Sequence, residues 1–364
     1  MAMTRRNFTA SGAAALAAGS AGTGNAKARL TMPAEWHRHE RCYMAFSAAH
    51  GVYRRSEIRR IRHEQAIIAR TIARFEPVVM FANAADLAEA KALCGPSVTV
   101  RRLAHFDIWT RDTLPTIVLD AQHRRHAVSW NFNVWGEKYS GYDEDRDLAK
   151  RFAQLLDLPY LPARIVAEGG AIEVDGAGNL MTTESCLLNP NRNPGKTRTE
   201  IERELGRLTG ASNIIWLPGS KVDVVTDGHI DGIARFVKPG VIVTEVTDDR
   251  YDPEYRDLQL AAEILEGATD RVGRKFEVIR LKRPRYDVMP KRGDDFAASY
   301  VNCYIANGGI VLPRFDDPAR DRAAKGLFSE LFPSHEIISL RTDEICEGGG
   351  GIHCNTQHLP VSGA

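Results

Sequence analysis

Apolar and polar positions along this chain follow two alternating rhythms. Short apolar runs bounded by Gly, Pro, Asp or Asn predict strands at Pro77–Phe81, Thr116–Leu119, Ala171–Val174, Ile214–Leu217, Val241–Val246, Phe276–Arg280 and Tyr304–Leu312. Most are rich in β-branched and aromatic residues, which suit a pleated, buried surface. Between them, Ser56–Arg74, Ala84–Leu93, Asp147–Leu156, Arg198–Thr209, Asp257–Ala268 and Pro318–Leu331 place apolar residues three and four apart among charges, the helical period. Strands alternating with amphipathic helices predict an α/β fold, not a sandwich or a bundle. Units of similar size suggest internal repetition, although no clear sequence period is seen. The helices read as core-facing, so the chemistry is sought in the segments between elements.

The first 28 residues stand apart from this pattern. Arg5-Arg6-Asn7-Phe8 precedes an uncharged, Ala/Gly-rich run that ends in Ala26-Lys27-Ala28. Paired arginines, a weakly apolar stretch and a small-x-small end predict a twin-arginine export signal over 1–28, hence contact with the Tat translocase during export and a periplasmic or secreted destination. The run is too short and Gly-rich to span a bilayer, and Phe296–Pro313, the other long charge-free stretch, is broken by Ser, Asn and Gly. The remainder, 29–364, reads as one catalytic domain with no linker dividing it.

Composition excludes several classes of protein. Across 364 residues, 43% are hydrophobic and 26% charged, as in ordinary globular chains and unlike disordered or collagen-like ones. A formal charge of +1 gives no basic footprint for nucleic acid. The cysteines, Cys42, Cys94, Cys186, Cys303, Cys346 and Cys354, are widely spaced without a CxxC pair, so their count alone leaves disulfides open.

Four segments resist explanation by packing. They are Phe106–Pro115, with Trp109, Arg111 and Asp112; Glu168-Gly169-Gly170; Thr226–Asp231, with His229 and Asp231; and Glu347–Gln357, with four consecutive glycines before Ile352-His353-Cys354. Glycine adds nothing to a core and costs conformational entropy, so that run lets backbone approach something closely and can expose Cys354 on a turn. A cysteine so placed, with a histidine elsewhere, suits a thiolate nucleophile and its acid/base partner. His229 and Asp231 would share one face of a strand. Together with the carboxylates, these groups fit a planar, cationic, electrophilic substrate such as a guanidinium, whose N–H forks two carboxylates can grip while the thiolate attacks the central carbon.

A metal site could draw on His229, Asp231, His353, Cys354 and His358, but HExxH and tight structural-zinc spacing are both missing from the sequence. Neither GxGxxG in the right context nor GxxxxGK[ST] occurs, so no cofactor is expected.

In combination these motifs resemble the bacterial agmatine deiminase / Porphyromonas-type peptidylarginine deiminase family. The resemblance runs in order from Met32-Pro33-Ala34-Glu35-Trp36 through Trp109-Thr110-Arg111-Asp112, Trp130–Gly136, Glu168-Gly169-Gly170, Leu187–Pro194, Asp227–Asp231 and Ser299–Asn302 to Gly349–Gln357. It implies the pentein fold, a pseudo-fivefold α/β propeller of ββαβ-type units around a central site. It also implies hydrolysis of a guanidine to a urea with release of ammonia, without metal or organic cofactor. By resemblance Cys354 is the nucleophile, His229 the general acid/base, and Asp112 and Asp231 hold the guanidinium nitrogens. Trp109 lines the substrate slot, Glu168 supports the site, and Asn302 orients the thiol or the substrate.

Agmatine, giving N-carbamoylputrescine, is the first substrate so implied; free or peptidyl arginine, giving citrulline, is the second. The departures bear on substrate. Val225 stands four residues before His229, where the family usually carries an acid near the substrate's amine; Gly232 replaces Asn; and Ala45-Phe46-Ser47 replaces Ala-Trp-Pro. An amidinotransferase on the same fold and a guanidine- or polyamine-binding protein without turnover are the rival expectations. Homo-oligomerisation is left open.

Overall fold

The repeating strand–turn–helix pattern arises because each unit is built on one plan. The computed structural model describes residues 29–47, 53–287, 293 and 295–363; the export signal expected at 1–28 lies outside them. The strands are β1 (His39–Ala45), β2 (Val78–Ala82), β3 (Val98–Arg102), β4 (Thr116–Leu119), β5 (Arg125–Ser129), β6 (Tyr160–Pro162), β7 (Glu173–Val174) and β8 (Asn179–Thr183). They continue as β9 (Asn213–Leu217), β10 (Ala234–Lys238), β11 (Val241–Val246), β12 (Glu277–Lys282), β13 (Tyr304–Ala306), β14 (Gly309–Arg314), β15 (Glu336–Arg341) and β16 (Gln357–Pro360).

They form five small sheets: β4-β5-β6, β7-β8-β9, β10-β11-β12, β13-β14-β15 and β16-β1-β2-β3. In every sheet an antiparallel pair is followed by a parallel strand reached through a crossover that contains a helix, the connection parallel pairing requires. The fifth sheet takes its first strand, β16, from the C-terminal end and its second, β1, from the N-terminal end, with Cys42 opposite His358. That pairing closes the ring of five ββαβ units. The pentein architecture implied by the motifs is therefore present.

Local sequence accounts for the crossovers. The helix Arg198–Thr209 starts in a reciprocal capping box between Thr197 and Glu200, and buries Ile201, Leu205 and Leu208 against the neighbouring sheet. Full burial of each such side chain stabilises by about 1.5–3 kcal/mol. Arg55–Ile72, Leu87–Cys94, Leu148–Leu155, Tyr255–Gly267 and Pro318–Leu331 fill the other crossovers, the last at its expected ends and the rest within three residues of theirs.

Two expected strands are subdivided. Tyr304–Leu312 is a hairpin, β13 and β14, turning at Asn307-Gly308, where an Asn-Gly pair favours a tight turn. Ala171–Val174 begins as a single 3₁₀ turn, Gly169–Ala171, before the short β7. Outer strands such as β3 and β15 are half-exposed and carry arginines, so their sequences lack an unbroken apolar run. Among the described residues no helix is long and apolar enough to cross a membrane. All six cysteines are free and buried.

Candidate active site

The residues singled out from sequence share one structural address. Asp112 lies just ahead of β4, Glu168 and Gly170 ahead of β7, His229 and Asp231 ahead of β10, Asn302 ahead of β13, and Cys354 ahead of β16. Each is at the entrance to the first strand of a unit.

The five entrances are joined in a closed circuit of contacts. The Gly170 amide donates to Asp112 Oδ1 at 3.0 Å, and Glu168 Oε2 lies 3.3 Å from His229 Nε2. Asn302 Nδ2 donates to the Asp231 carbonyl at 3.4 Å, the His353 amide donates to the Asn302 carbonyl at 3.2 Å, and the Arg111 amide donates to the Cys354 carbonyl at 3.1 Å. The ring of units thus converges on one buried pit.

Glycine makes the pit. A Cβ on Gly170 would stand 2.6 Å from His229 Nδ1, 3.0 Å from Asp231 Oδ2 and 3.1 Å from Asp112 Oδ1. One point in space is therefore surrounded by an imidazole nitrogen and two carboxylates. The Cys354 sulfur joins them, 3.5 Å from Asp231 Oδ2, with Asn302 Nδ2 donating to it at 3.2 Å. The C-terminal glycine run lies flat over Trp109: a Cβ on Gly350 would come within 2.4 Å of the indole. Val225 packs against the same run at Gly349.

A second layer orients these groups. Trp135 Nε1 donates to Asp112 Oδ2 at 2.9 Å, from a segment in which Val134, Trp135 and Glu137 all have positive φ near 50–60°. Left-handed backbone is costly for a β-branched residue, and such strain is held only where surrounding contacts over-determine it. Arg192 Nε donates to Glu168 Oε1 at 2.7 Å. His353 bridges Asp231 and Glu35, and Glu35 is met in turn by Arg235 Nη2 at 2.8 Å and Arg111 Nη2 at 3.3 Å. Glu35 and Arg192 fall in the quoted motifs without having been given a role. Trp135 falls in them as well; Arg235, Glu173 and Cys186 do not, and a charged residue such as Arg235 or Glu173 in an otherwise ordinary strand reads as surface.

Electrostatics follow from burial and these partners. Burial pushes the Cys354 thiol well up, and the Asp231 and Asp112 carboxylates push it further, against the Gly351 backbone and Asn302 donors. Burial would lower the His229 imidazole, but Asp112, Cys186 and Glu168 outweigh it and hold the ring well above its usual range. Burial raises Asp112. Against the same burial, His353 keeps Asp231 low, while His229 and Arg192 keep Glu168 low.

The pit could grip a planar cation between two carboxylates, with a sulfur and an imidazole to either side. Glu168, Cys186 and His229 also bring three donor atoms within 4.8 Å of one another, as a metal would require. However, Arg192 already neutralises Glu168, and Cys186 Sγ donates to the same Glu168 oxygen that faces His229, at 3.7 Å. The trio fits a hydrogen-bonded support for the imidazole better than a metal centre. His358, included in the sequence-level metal set, instead faces Arg111 and stacks on His39.

A closed ring of five ββαβ units with a thiol, an imidazole and paired carboxylates at its convergence defines a pentein, the fold of the guanidine-modifying superfamily. Residues 31–360 match the Porphyromonas-type peptidyl-arginine deiminase family, and the chain belongs to it. A Legionella pneumophila relative is 39% identical over 332 residues, covering 91% of this chain and 95% of its own. The agmatine deiminase of Pseudomonas aeruginosa is 38% identical over 352 residues, with the same coverage of both chains. The structure of the agmatine deiminase of Enterococcus faecalis superposes with a TM-score of 0.86 at 29% identity, covering 91% of this chain and 96% of that one.

Proposed function

We propose that this protein is a guanidine iminohydrolase, acting first on agmatine to give N-carbamoylputrescine and ammonia. The observation that carries the reading is the single point bounded by His229 Nδ1, Asp231 Oδ2 and Asp112 Oδ1 beside the Cys354 sulfur. The agmatine deiminases among its relatives support the choice of substrate.

In this reading Asp112 and Asp231 grip the guanidinium and keep it planar and charged. The bound cation offsets the two carboxylates that hold the Cys354 thiol protonated, so the thiol gives its proton to solvent as substrate arrives, while His229 keeps its own for the leaving nitrogen. The sulfur attacks the guanidinium carbon, and the resulting tetrahedral adduct expels one nitrogen, which leaves as ammonia with a proton from His229. The S-alkylthiouronium that remains is attacked by water, whose proton passes to His229. Collapse breaks the C–S bond and returns the thiolate, the remaining hydroxyl proton passes to solvent or ammonia, and the urea is released. Trp109 lines the slot, Asn302 orients the sulfur, and Glu168 holds the imidazole.

The test is ammonia release by the purified protein from agmatine, free arginine and a peptidyl arginine, with Cys354→Ala alongside. Release from agmatine that the variant lacks supports the reading; binding without release from any of the three would favour a silent guanidine-binding protein, and dependence on an acceptor amine an amidinotransferase. Preference for an arginine would move the substrate to the second assignment.

We also infer, from residues 1–28, export by the twin-arginine route as a folded enzyme. Replacing Arg5 and Arg6 together with lysine should then retain the protein in the cytoplasmic fraction; an unchanged distribution would remove the inference.

A further inference from the structure

His353 is the residue next to the candidate nucleophile, yet nothing in the reaction just described uses it. Its ring is fully enclosed between two acids. Nδ1 lies 2.7 Å from Asp231 Oδ2, and Nε2 lies 2.7 Å from Glu35 Oε2. A carboxylate only accepts hydrogen bonds, so two such contacts call for a proton on each ring nitrogen. Both acids are held ionised: Arg235, His353 and Arg111 keep Glu35 well below the usual range despite its burial, and His353 likewise keeps Asp231 low.

The geometry ties this ring to the sulfur twice. Asp231 Oδ2, which receives Nδ1, is also the oxygen 3.5 Å from Cys354 Sγ. The His353 amide donates to Asn302 Oδ1 at 3.0 Å, and Asn302 Nδ2 donates to Cys354 Sγ at 3.2 Å. The charged groups around the ring are Asp231 and Glu35 in contact, with Arg111, Arg235 and Glu173 behind Glu35, and His358 beyond Arg111.

We propose that His353 is a positioning residue for the Cys354 thiol: it donates from both ring nitrogens, commits one oxygen of Asp231, and keeps a positive charge one carboxylate away from the sulfur. That same oxygen faces the pit, so the ring fixes how Asp231 meets the guanidinium. This makes two imidazoles of different kinds at one site, His229 placed to exchange protons with reactants and His353 placed to hold Asp231. The proposal rests on Cys354 being the nucleophile, and its test is independent of which guanidine is turned over.

The test is the rate of Cys354 modification by iodoacetamide across a pH series, read by peptide mass mapping, in wild type, His353→Gln and Glu35→Gln. Loss of the cation leaves the Asp231 charge unbalanced beside the sulfur and disfavours the thiolate. The midpoint for Cys354 should therefore rise by about one pH unit or more in His353→Gln. It should rise by less in Glu35→Gln, which removes one of the two anions that hold the cation and keeps the side chain's shape. Should His353→Gln fail to fold, the Glu35→Gln displacement decides alone. Midpoints that overlie wild type in the folded variants would overturn the proposal, whether or not ammonia is released from any guanidine.

Discussion

Gly170 and His229 leave no room for a methyl group between them: a Cβ at position 170 would lie 2.6 Å from the imidazole Nδ1. The same atom would crowd Asp231 and Asp112. Gly170→Ala should therefore displace the imidazole or fill the space meant for the guanidinium. We expect kcat/KM to fall by about 100-fold or more, in the range that small misplacements of reacting groups cost. Thermal unfolding should move far less than activity; full activity in Gly170→Ala would mean that the substrate sits elsewhere.

Glu168 bears on the His229 proton. Its carboxylate is one of the charges that hold the ring above its usual range against burial. Glu168→Gln removes that charge and keeps the shape, so the His229 pKa should fall. If His229 must be protonated to release ammonia, the alkaline limb of the kcat/KM profile moves to lower pH, by about one unit. An unmoved limb would exclude His229 as the titrating acid.

Glu245 gives a stability test remote from the reaction. Burial pushes its carboxyl up to about 7, against Arg283 and the amides of Tyr300 and Val301. Because its folded pKa is raised, the proton is bound more tightly in the folded protein, and the stability it contributes is lost as pH climbs from the unfolded value near 4.5 through about 7. Glu245→Gln does not titrate. It should gain on wild type across that window, by roughly 1–3 kcal/mol above neutrality, with the difference vanishing in mild acid. Chemical denaturation of both proteins at several pH values measures it.

Val225 abuts the glycine run that covers Trp109, at the position where the family's usual pattern carries an acid. Val225→Glu places a carboxylate near the substrate's distal end. The ratio of kcat/KM for agmatine to that for a guanidine with an uncharged tail should rise about tenfold, the equivalent of about 1.4 kcal/mol for one partly exposed charge pair. An unchanged ratio would put the substrate's amine beyond the reach of position 225.

The α/β class was legible in the alternation of strands and helices, and the candidate site residues in the places where they break ordinary rules. Consecutive glycines before Cys354 make no sense in a core, and His229-Ile230-Asp231 with Asp112 and Glu168 clusters polar groups at strand entrances. The supporting layer was less legible. Arg235 sits mid-strand in β10, fully buried, and its own segment carries no sign that Glu35 and Glu173, distant in sequence, neutralise it. Trp135 reads as an ordinary core aromatic until its N–H is seen on Asp112. The strand expected over Tyr304–Leu312 hid a turn because Asn307-Gly308 interrupts an otherwise apolar run by only two residues.

The measurement that tests the account most directly is mass spectrometry of the Cys354 peptide after acid quench during agmatine turnover. The account predicts a covalent adduct on Cys354 with the mass of agmatine less ammonia, which accumulates early, decays as substrate is exhausted, and is absent when Cys354→Ala is treated in the same way. Turnover of agmatine by Cys354→Ala at the wild-type rate, with no adduct on the wild-type peptide, would contradict it.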